Sequence, residues 1–267
     1  MPELPEVETV RTGLASSWIG KRIDGVELKR DGLRFPFPKG LEKRISGRVI
    51  RNVRRRAKYL LIDLDNSDIL LSHLGMSGKW TLDATESDGK HDHVVIYLDD
   101  GTMSVYNDPR RFGVLDIFNG DSHKLLDHLG PEPLGNWTHE DLFSKLRNRK
   151  SPIKICLLDQ KVVVGVGNIY ACEALYRSKI SPKRKACTIK KKECKKLVDE
   201  IKNILAEAIR VGGSSLRDFA GADGALGYFI HQFKVYDKEG NECECGGTIE
   251  RLVQSNRSTF WCKSCQK

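Results

Sequence analysis

No stretch of about 18 consecutive apolar residues occurs in the 267-residue chain, so nothing in it reads as a membrane-spanning helix. The start has no apolar core of the kind a secretory signal needs, which points to the cytosol as the expected compartment. Neither an internal repeat nor a low-complexity tract is evident. Disulfides are not expected for Cys156, Cys172, Cys187 and Cys194, which are scattered through helical-looking sequence; free thiols are their usual state in a reducing compartment. What is present is a chain 39% hydrophobic and 30% charged, a composition that suits a soluble folded protein with one large domain or two modest ones. Its 45 Lys+Arg against 36 Asp+Glu give a net charge of +9, which selects a polyanionic partner, nucleic acid ahead of an anionic membrane surface.

Residues 22 to 118 read mainly as short strands: 23–28, 59–64, 69–71, 94–98, 103–106 and 114–118 are β-branched or aromatic runs. Asp99-Asp100-Gly101 between two of them is a hairpin signal. Many short strands with turn residues between them favour an antiparallel sandwich over a parallel sheet. Residues 129–136 hold two Pro and two Gly in eight, a candidate interdomain linker. Helices are expected over 140–146, 153–160, 169–178 and 193–211, the last with Leu197, Ile201, Ile204, Leu205, Ala208 and Ile209 on one face. Residues 212–228 are Gly-rich and irregular, and a short hairpin-like tail ends the chain.

Five constellations bear on chemistry. At the start, Pro2 and Pro5 bracket Glu3, and Val7, Val10 and Leu14 fall on one helix face that should fade near Gly20. Pro5 fits a first helical turn, where its missing N–H costs nothing. One reading is an ordinary helix with acidic residues in the turn its dipole favours. The other starts from removal of Met1, which would expose the secondary amine of Pro2. An α-amino group has a pKa of roughly 7.7–8.0, against about 10.4 for Lys, so a useful fraction is neutral at pH 7. Such an amine attacks a sugar C1′ or an aldehyde carbon and forms an iminium, with Glu3 beside it to take and give protons.

The tail contains Cys243-Glu244-Cys245, sixteen residues, then Cys262-Lys263-Ser264-Cys265. Two close thiolate pairs across a short loop are the donor set of a tetrahedral Zn²⁺ site. The first pair has one intervening residue where two to four are usual, so its knuckle must be tighter. Four protein ligands leave no open position, which makes the site structural: it would hold Arg257 and its neighbours on a hairpin too small for a core of its own.

In Gly165-Val166-Gly167-Asn168 a turn leads into a helix that Asn168 is expected to cap; this reads either as a phosphate cradle flanked by Lys154 and Lys161 or as a plain helix–turn–helix corner. The run Arg54-Arg55-Arg56-Ala57-Lys58 reads as solvated charge, except that Lys58 stands at a strand entry. Two loops, 72–78 and 107–113, carry His73, Met76, Arg110 and Phe112 among glycines and a proline. Met and Phe there are either core or wedges for a base stack.

Taken together, the start Pro2-Glu3-Leu4-Pro5-Glu6-Val7-Glu8-Thr9-Val10-Arg11, the Gly165–Tyr170 turn and the tail from Arg257 to Gln266 resemble the formamidopyrimidine-DNA glycosylase family, in matching order along the whole chain. The resemblance implies an α+β multidomain fold: an N-terminal antiparallel β-sandwich domain flanked by helices (1–130), an interdomain linker (131–138), a helix–two-turn–helix DNA-binding domain (139–234) and a β-hairpin zinc finger (235–267). It implies a base-excision-repair enzyme, glycosylase and abasic-site lyase, acting on oxidised purines such as 8-oxoguanine and formamidopyrimidines in duplex DNA. A base must leave the stack for such chemistry, at a cost of roughly a few kcal/mol. Position by position, Pro2 resembles the nucleophile and Glu3 its proton partner. Met76, Arg110 and Phe112 resemble the residues that fill the vacated space. Lys58, His73, Asn168 and Arg257 resemble phosphate contacts around the lesion, and Lys154 a contact to the damaged nucleotide. Residues 217–227 resemble a loop over the flipped base, and Cys243, Cys245, Cys262 and Cys265 the ligands of one structural zinc ion. The expected protein is a bacterial, cytoplasmic, nucleoid-associated monomer. An endonuclease VIII-like enzyme with a preference for oxidised pyrimidines is the nearest rival; a non-catalytic zinc protein that binds nucleic acid is a rival of another class.

Overall fold

The computed structural model describes residues 2–214 and 229–267. Met1 and the loop expected over 217–227 lie outside the described residues. The chain divides into two compact units, one of Met1–Asp127 with Val211–Tyr228, the other of His128–Arg210 with Phe229–Lys267.

The first unit opens on helix α1 (Leu4–Trp18), followed by β1 (Ile23–Leu28), the short α2 (Leu41–Ile45), then β2 (Ile50–Arg56), β3 (Tyr59–Leu64), β4 (Asp68–His73), β5 (Lys79–Thr81), β6 (Asp92–Leu98), β7 (Met103–Asn107) and β8 (Val114–Asn119). All pairings are antiparallel, in two four-stranded sheets of order β1-β6-β7-β5 and β2-β3-β4-β8. The expected sandwich is therefore present. Its core takes alternate residues of both sheets, among them Leu60, Ile62, Leu70, Trp80, Val94, Ile96 and Tyr106. Two tryptophans tie the layers. Trp18 meets Trp80 edge-on at 5.1 Å and donates to Ser104 Oγ, while Trp80 of β5 donates to Ser72 Oγ of β4. The hairpin at Asp99–Thr102 closes with Gly101 at φ +83°, a left-handed conformation that suits glycine.

Helix α1 buries Val7, Val10 and Leu14 in that core, the face its spacing predicts, and Trp18 one turn further on. Each such side chain is worth about 1.5–3 kcal/mol on burial, more than the roughly 1 kcal/mol of a helix cap, so packing rather than capping decides where α1 lies. Strand β2 and the short β5 and α2 were not legible as elements. The arginine run of β2 is the solvent side of an edge strand: Arg54 forms a two-point bond to Asp63 on β3 (2.6 and 2.5 Å), while Val53 faces inward. Charged side chains on an edge strand discourage pairing with a second sheet.

The second unit holds α3 (His139–Leu146), α4 (Ile153–Leu158), α5 (Asn168–Arg177), α6 (Lys191–Arg210) and the hairpin β9 (Ile249–Gln254)–β10 (Arg257–Cys262). The buried face of α6, with Leu197, Ile201, Ile204, Leu205 and Ala208, packs on α3 and α5, while Ile209, expected on the same face, is only half-buried at its edge. Helix α4 is two residues shorter than its pattern suggests, because Asp159 leaves helical geometry to accept from Lys161 N–H and pair with Arg149. Residues 162–164 are a fully buried valine turn. Among the described residues no helix is long and apolar enough to cross a membrane.

Candidate active site and metal centre

Pro2 and Glu3 are both buried at the head of α1. Glu3 is the N-cap, and its backbone N–H donates to Glu6 Oε2 at 2.8 Å, half of a capping box. The other oxygen of Glu6 accepts from both N–H and Oγ–H of Ser214, each at 2.8 Å. Gly213 makes this approach possible: at φ +78°, a Cβ on it would sit 3.0 Å from Glu6 Oε1. Glu8, one turn on from Pro5, accepts from Arg55 Nε at 2.7 Å and fastens α1 to β2, close to the turn that carries Lys58. That turn is tight, with Ala57 at φ +54° and its carbonyl accepting from Arg55 Nη1. Lys58 is 8% exposed.

His73 ends β4 opposite Tyr59, their rings 4.7 Å apart. Its Nδ1 accepts from the Gly75 N–H at 3.0 Å. Burial first, then the positive charges of Lys58 and Arg34, bring its pKa down to about 4. The imidazole is thus neutral at physiological pH, and with Nδ1 occupied as acceptor its proton is on Nε2.

The loops that carry Met76 and Arg110–Phe112 are joined by one buried carboxylate. Asp108 Oδ1 accepts from Ser77 Oγ at 2.6 Å and Arg110 N–H at 3.3 Å, and Oδ2 from Gly113 N–H at 2.8 Å. Its carbonyl is bonded to His93 Nε2 at 2.9 Å. Glycine lets the backbones touch: a Cβ on Gly75 would lie 2.4 Å from the Phe112 carbonyl carbon. On this platform Phe112 is 46% exposed, and the Arg110 guanidinium lies 5.0 Å above its ring. Met76 is half-buried.

In the second unit three candidate residues meet at Ser258. Lys154 is fully buried; its Nζ donates to Ser258 O at 3.1 Å and Thr259 Oγ1 at 2.7 Å. Asn168 Nδ2 donates to the same carbonyl at 2.9 Å. Both residues therefore hold the hairpin turn next to Arg257, which is exposed. Asn168 is not the N-cap of α5 as its sequence position suggests. Gly167, in extended conformation, takes that place, so Asn168 is the first helical residue and its side chain reaches the hairpin instead. Its Oδ1 is buried with no hydrogen-bond partner among the described residues.

The four sulfurs of Cys243, Cys245, Cys262 and Cys265 all lie within 4.8 Å of one another. Cys245 stands 3.5 Å from both Cys243 and Cys262, and Cys243 stands 3.9 Å from Cys265. Tetrahedral Zn–S bonds of about 2.3 Å put sulfurs about 3.8 Å apart, so the residues fit one structural zinc ion. The short C-x-C knuckle closes through Gly246 at φ +78°, whose N–H donates to the Cys243 carbonyl. A Cβ on Gly247 would meet Ser264 Oγ at 2.4 Å, which makes glycine necessary there too. The cluster is braced by α5, where the buried Glu173 carboxylate accepts the N–H groups of Lys234, Val235 and Tyr236. Burial pushes that carboxyl up against these bonds.

Glu6, Asp108 and Glu173 were not singled out from the sequence. Only Glu6 had a local signal, a Glu three residues after the N-cap Glu3. The partners of the other two are set by folding.

Three family models match the chain: the formamidopyrimidine-DNA glycosylase N-terminal domain over residues 1–115, the H2TH domain of the same proteins over 129–220, and a zinc finger found in FPG and IleRS over 244–267. A formamidopyrimidine-DNA glycosylase from Ruegeria pomeroyi is 50% identical, with 100% of both chains covered. A point mutant of the Lactococcus lactis FPG protein, solved with DNA that contains Fapy-dG, superposes with a TM-score of 0.93 at 33% identity and 100% coverage of both chains. The Lactococcus lactis Fpg solved with DNA that contains an abasic site gives 0.92 at 33% identity, with 99% of each chain covered.

Proposed function

This chain belongs to the formamidopyrimidine-DNA glycosylase family, and on that premise we propose that it excises oxidised purines, 8-oxoguanine and formamidopyrimidines, and then cleaves the abasic strand. That it is a DNA glycosylase of base excision repair with a structural zinc ion follows from the family. The observation that carries the finer reading is the rigid start of α1, where Glu6 fixes the backbone of Glu3 and so places the Pro2 nitrogen on a packed element.

In this reading the Pro2 amine, free once Met1 is gone, attacks C1′ while the bond to the damaged base breaks. Glu3 donates a proton as the sugar ring opens and accepts one afterwards. The resulting iminium acidifies C2′, so β-elimination breaks the bond from C3′ to its phosphate. A second, δ, elimination breaks the bond at C5′ and leaves a one-nucleotide gap. Met76, Arg110 and Phe112 occupy the vacated space and wedge the opposite strand. Lys58 and the neutral Nε2–H of His73 bind phosphate from the first unit, Asn168 and Arg257 from the second. Lys154, enclosed against Thr259, contributes by positioning the hairpin. The protein works as a monomer in the cytoplasm, on the nucleoid, with domains at 1–130, 139–234 and 235–267 around a linker at 131–138.

One reaction tests the reading: incubation with an 8-oxoguanine·cytosine duplex, a thymine-glycol duplex and an abasic duplex, each with borohydride. The expected outcome is a trapped covalent adduct, strongest with the purine lesion among the damaged bases. Preference for thymine glycol would assign the chain to oxidised pyrimidines, and no adduct on any duplex would sink the proline mechanism.

A further inference from the structure

Eighteen residues hold nearly the whole charge imbalance of the molecule. From Lys179 to Lys196 there are nine Lys+Arg and one acid, Glu193, a net of +8 against +9 for the full chain. The segment runs through the 3-10 turn Ala186–Thr188 into the first turns of α6. Lys183, Lys185, Lys190, Lys192, Lys195 and Lys196 are exposed. Its one acid is already engaged, since Glu193 forms a two-point bond with Arg184 (2.6 and 3.0 Å) and accepts from the Lys190 N–H. Lys191 meets Glu140 of α3 at 3.2 Å. Among the described residues no carboxylate lies within ion-pair reach of Lys190, Lys192, Lys195 or Lys196. Lys191 with Lys195, and Lys192 with Lys196, stand four apart on α6, where like charges repel and weaken a helix. A polyanion would relieve that repulsion.

The segment is fastened to the start of α4, which carries the buried Lys154, and to the zinc hairpin. The Arg184 carbonyl accepts from Ile153 N–H at 2.7 Å, and Ala186 N–H donates to Ser151 O at 2.9 Å, which binds the segment to the start of α4. The Lys183 ammonium lies 5.3 Å from the centre of the Trp261 ring, two residues beyond the Thr259 that holds Lys154. The Pro182 carbonyl accepts from Gln254 of β9.

We propose that the Lys179–Lys196 segment is a second, sequence-independent surface for the sugar-phosphate backbone of duplex DNA, gripping undamaged duplex beside the lesion. It rests on the reading of this protein as a duplex-DNA enzyme. From Lys190 to Lys196 the helix advances about 9 Å, the span of about five duplex charges at one per roughly 1.7 Å. A membrane surface fits less well, because an interfacial helix inserts its apolar face, and the apolar face of α6 is consumed by the core of its own unit.

The test compares the wild type with two quadruple variants, Lys190→Gln/Lys192→Gln/Lys195→Gln/Lys196→Gln and the same four positions changed to Arg. Binding to an undamaged duplex of about 30 base pairs is measured across salt concentrations. Each phosphate contact contributes about 0.9 to the slope of log K against log salt. The Gln variant should lose about two or more from that slope and about tenfold in low-salt affinity, and the Arg variant should keep both. Borohydride trapping by the wild type on an 8-oxoguanine duplex is run alongside. A folded Gln variant with the wild-type slope overturns the surface, and so does an Arg variant that loses as much as the Gln variant. If trapping is intact in either case, the enzyme reading stands alone. Loss of slope in the Gln variant with no trapping by the wild type would reject the enzyme and retain the surface.

Discussion

At the scale of single residues, burial turns ordinary side chains into fixed donors and acceptors. His73 shows the sign of this effect. Its ordinary pKa is about 6.5, and in the folded chain burial and the neighbouring Lys58 and Arg34 hold it at about 4. Between those values the unfolded chain takes up a proton that the native state refuses. Stability is therefore complete above about pH 6.5 and is lost as pH falls towards about 4, by as much as about 3 kcal/mol. His93, lowered mainly by burial, acts in the same direction. We expect the thermal midpoint to fall between about pH 7 and pH 5 by less in His73→Gln than in the wild type; equal falls in both proteins would show that His73 is not the group responsible. A neutral imidazole also suits a phosphate contact beside Lys58, because it donates without adding a second charge to a crowded place.

At the scale of elements, the two loops that carry Met76 and Arg110–Phe112 act as one part. Asp108 receives Ser77 from one loop and Arg110 and Gly113 from the other, and glycines let the backbones meet. Asp108→Ala would leave the buried Gly113 N–H without a partner, at about 1–3 kcal/mol, and release the partly buried Ser77 hydroxyl and Arg110 N–H. The expected result is a less stable protein that loses excision of a paired lesion far more than cleavage of a ready-made abasic site, since only excision requires a stacked base to be displaced. Equal loss of the two activities, measured by product formation on each duplex, would separate the loops from base extrusion. Little of this was visible beforehand. The strands at 23–28 and 59–64 could be read to the residue because each is a short run rich in aliphatic or aromatic residues, apolar at 23, 26 and 28 in one and at 59–62 and 64 in the other. Strand β2 was hidden because an edge strand spends its outward positions on charge, and its arginines read as a solvated run.

At the scale of the whole molecule, the metal centre belongs to the second of the two units. The hairpin and its approach add few large apolar residues, with Val235, Ile249 and Phe260 packed against Cys172 and Tyr176 of α5. A cluster of that size depends on its cross-link, and four thiolates on one zinc ion supply it. Removal of zinc by a chelator should therefore release hydrogen-exchange protection in residues 243–265 and weaken DNA binding, while the two antiparallel sheets of the first unit keep theirs. Simultaneous loss of protection in both units would show that the metal stabilises more than the hairpin.

The sequence by itself determined the chemistry-bearing types and their order: Pro2 and Glu3 at a helix start, a β-rich then a helical half, two cysteine pairs and a basic balance. Local periodicity and spacing encode these, because each depends on residues a few positions apart. Tertiary structure alone decided what those residues touch. It turned Asn168 from an expected cap into a brace on Ser258, enclosed Lys154 against Thr259, and made Glu6, Asp108 and Glu173 the anchors of Ser214, the paired loops at 72–78 and 107–113, and the hairpin's approach. A buried carboxylate must find its donors wherever the fold brings them, and for Glu6 the donor stands 208 positions away.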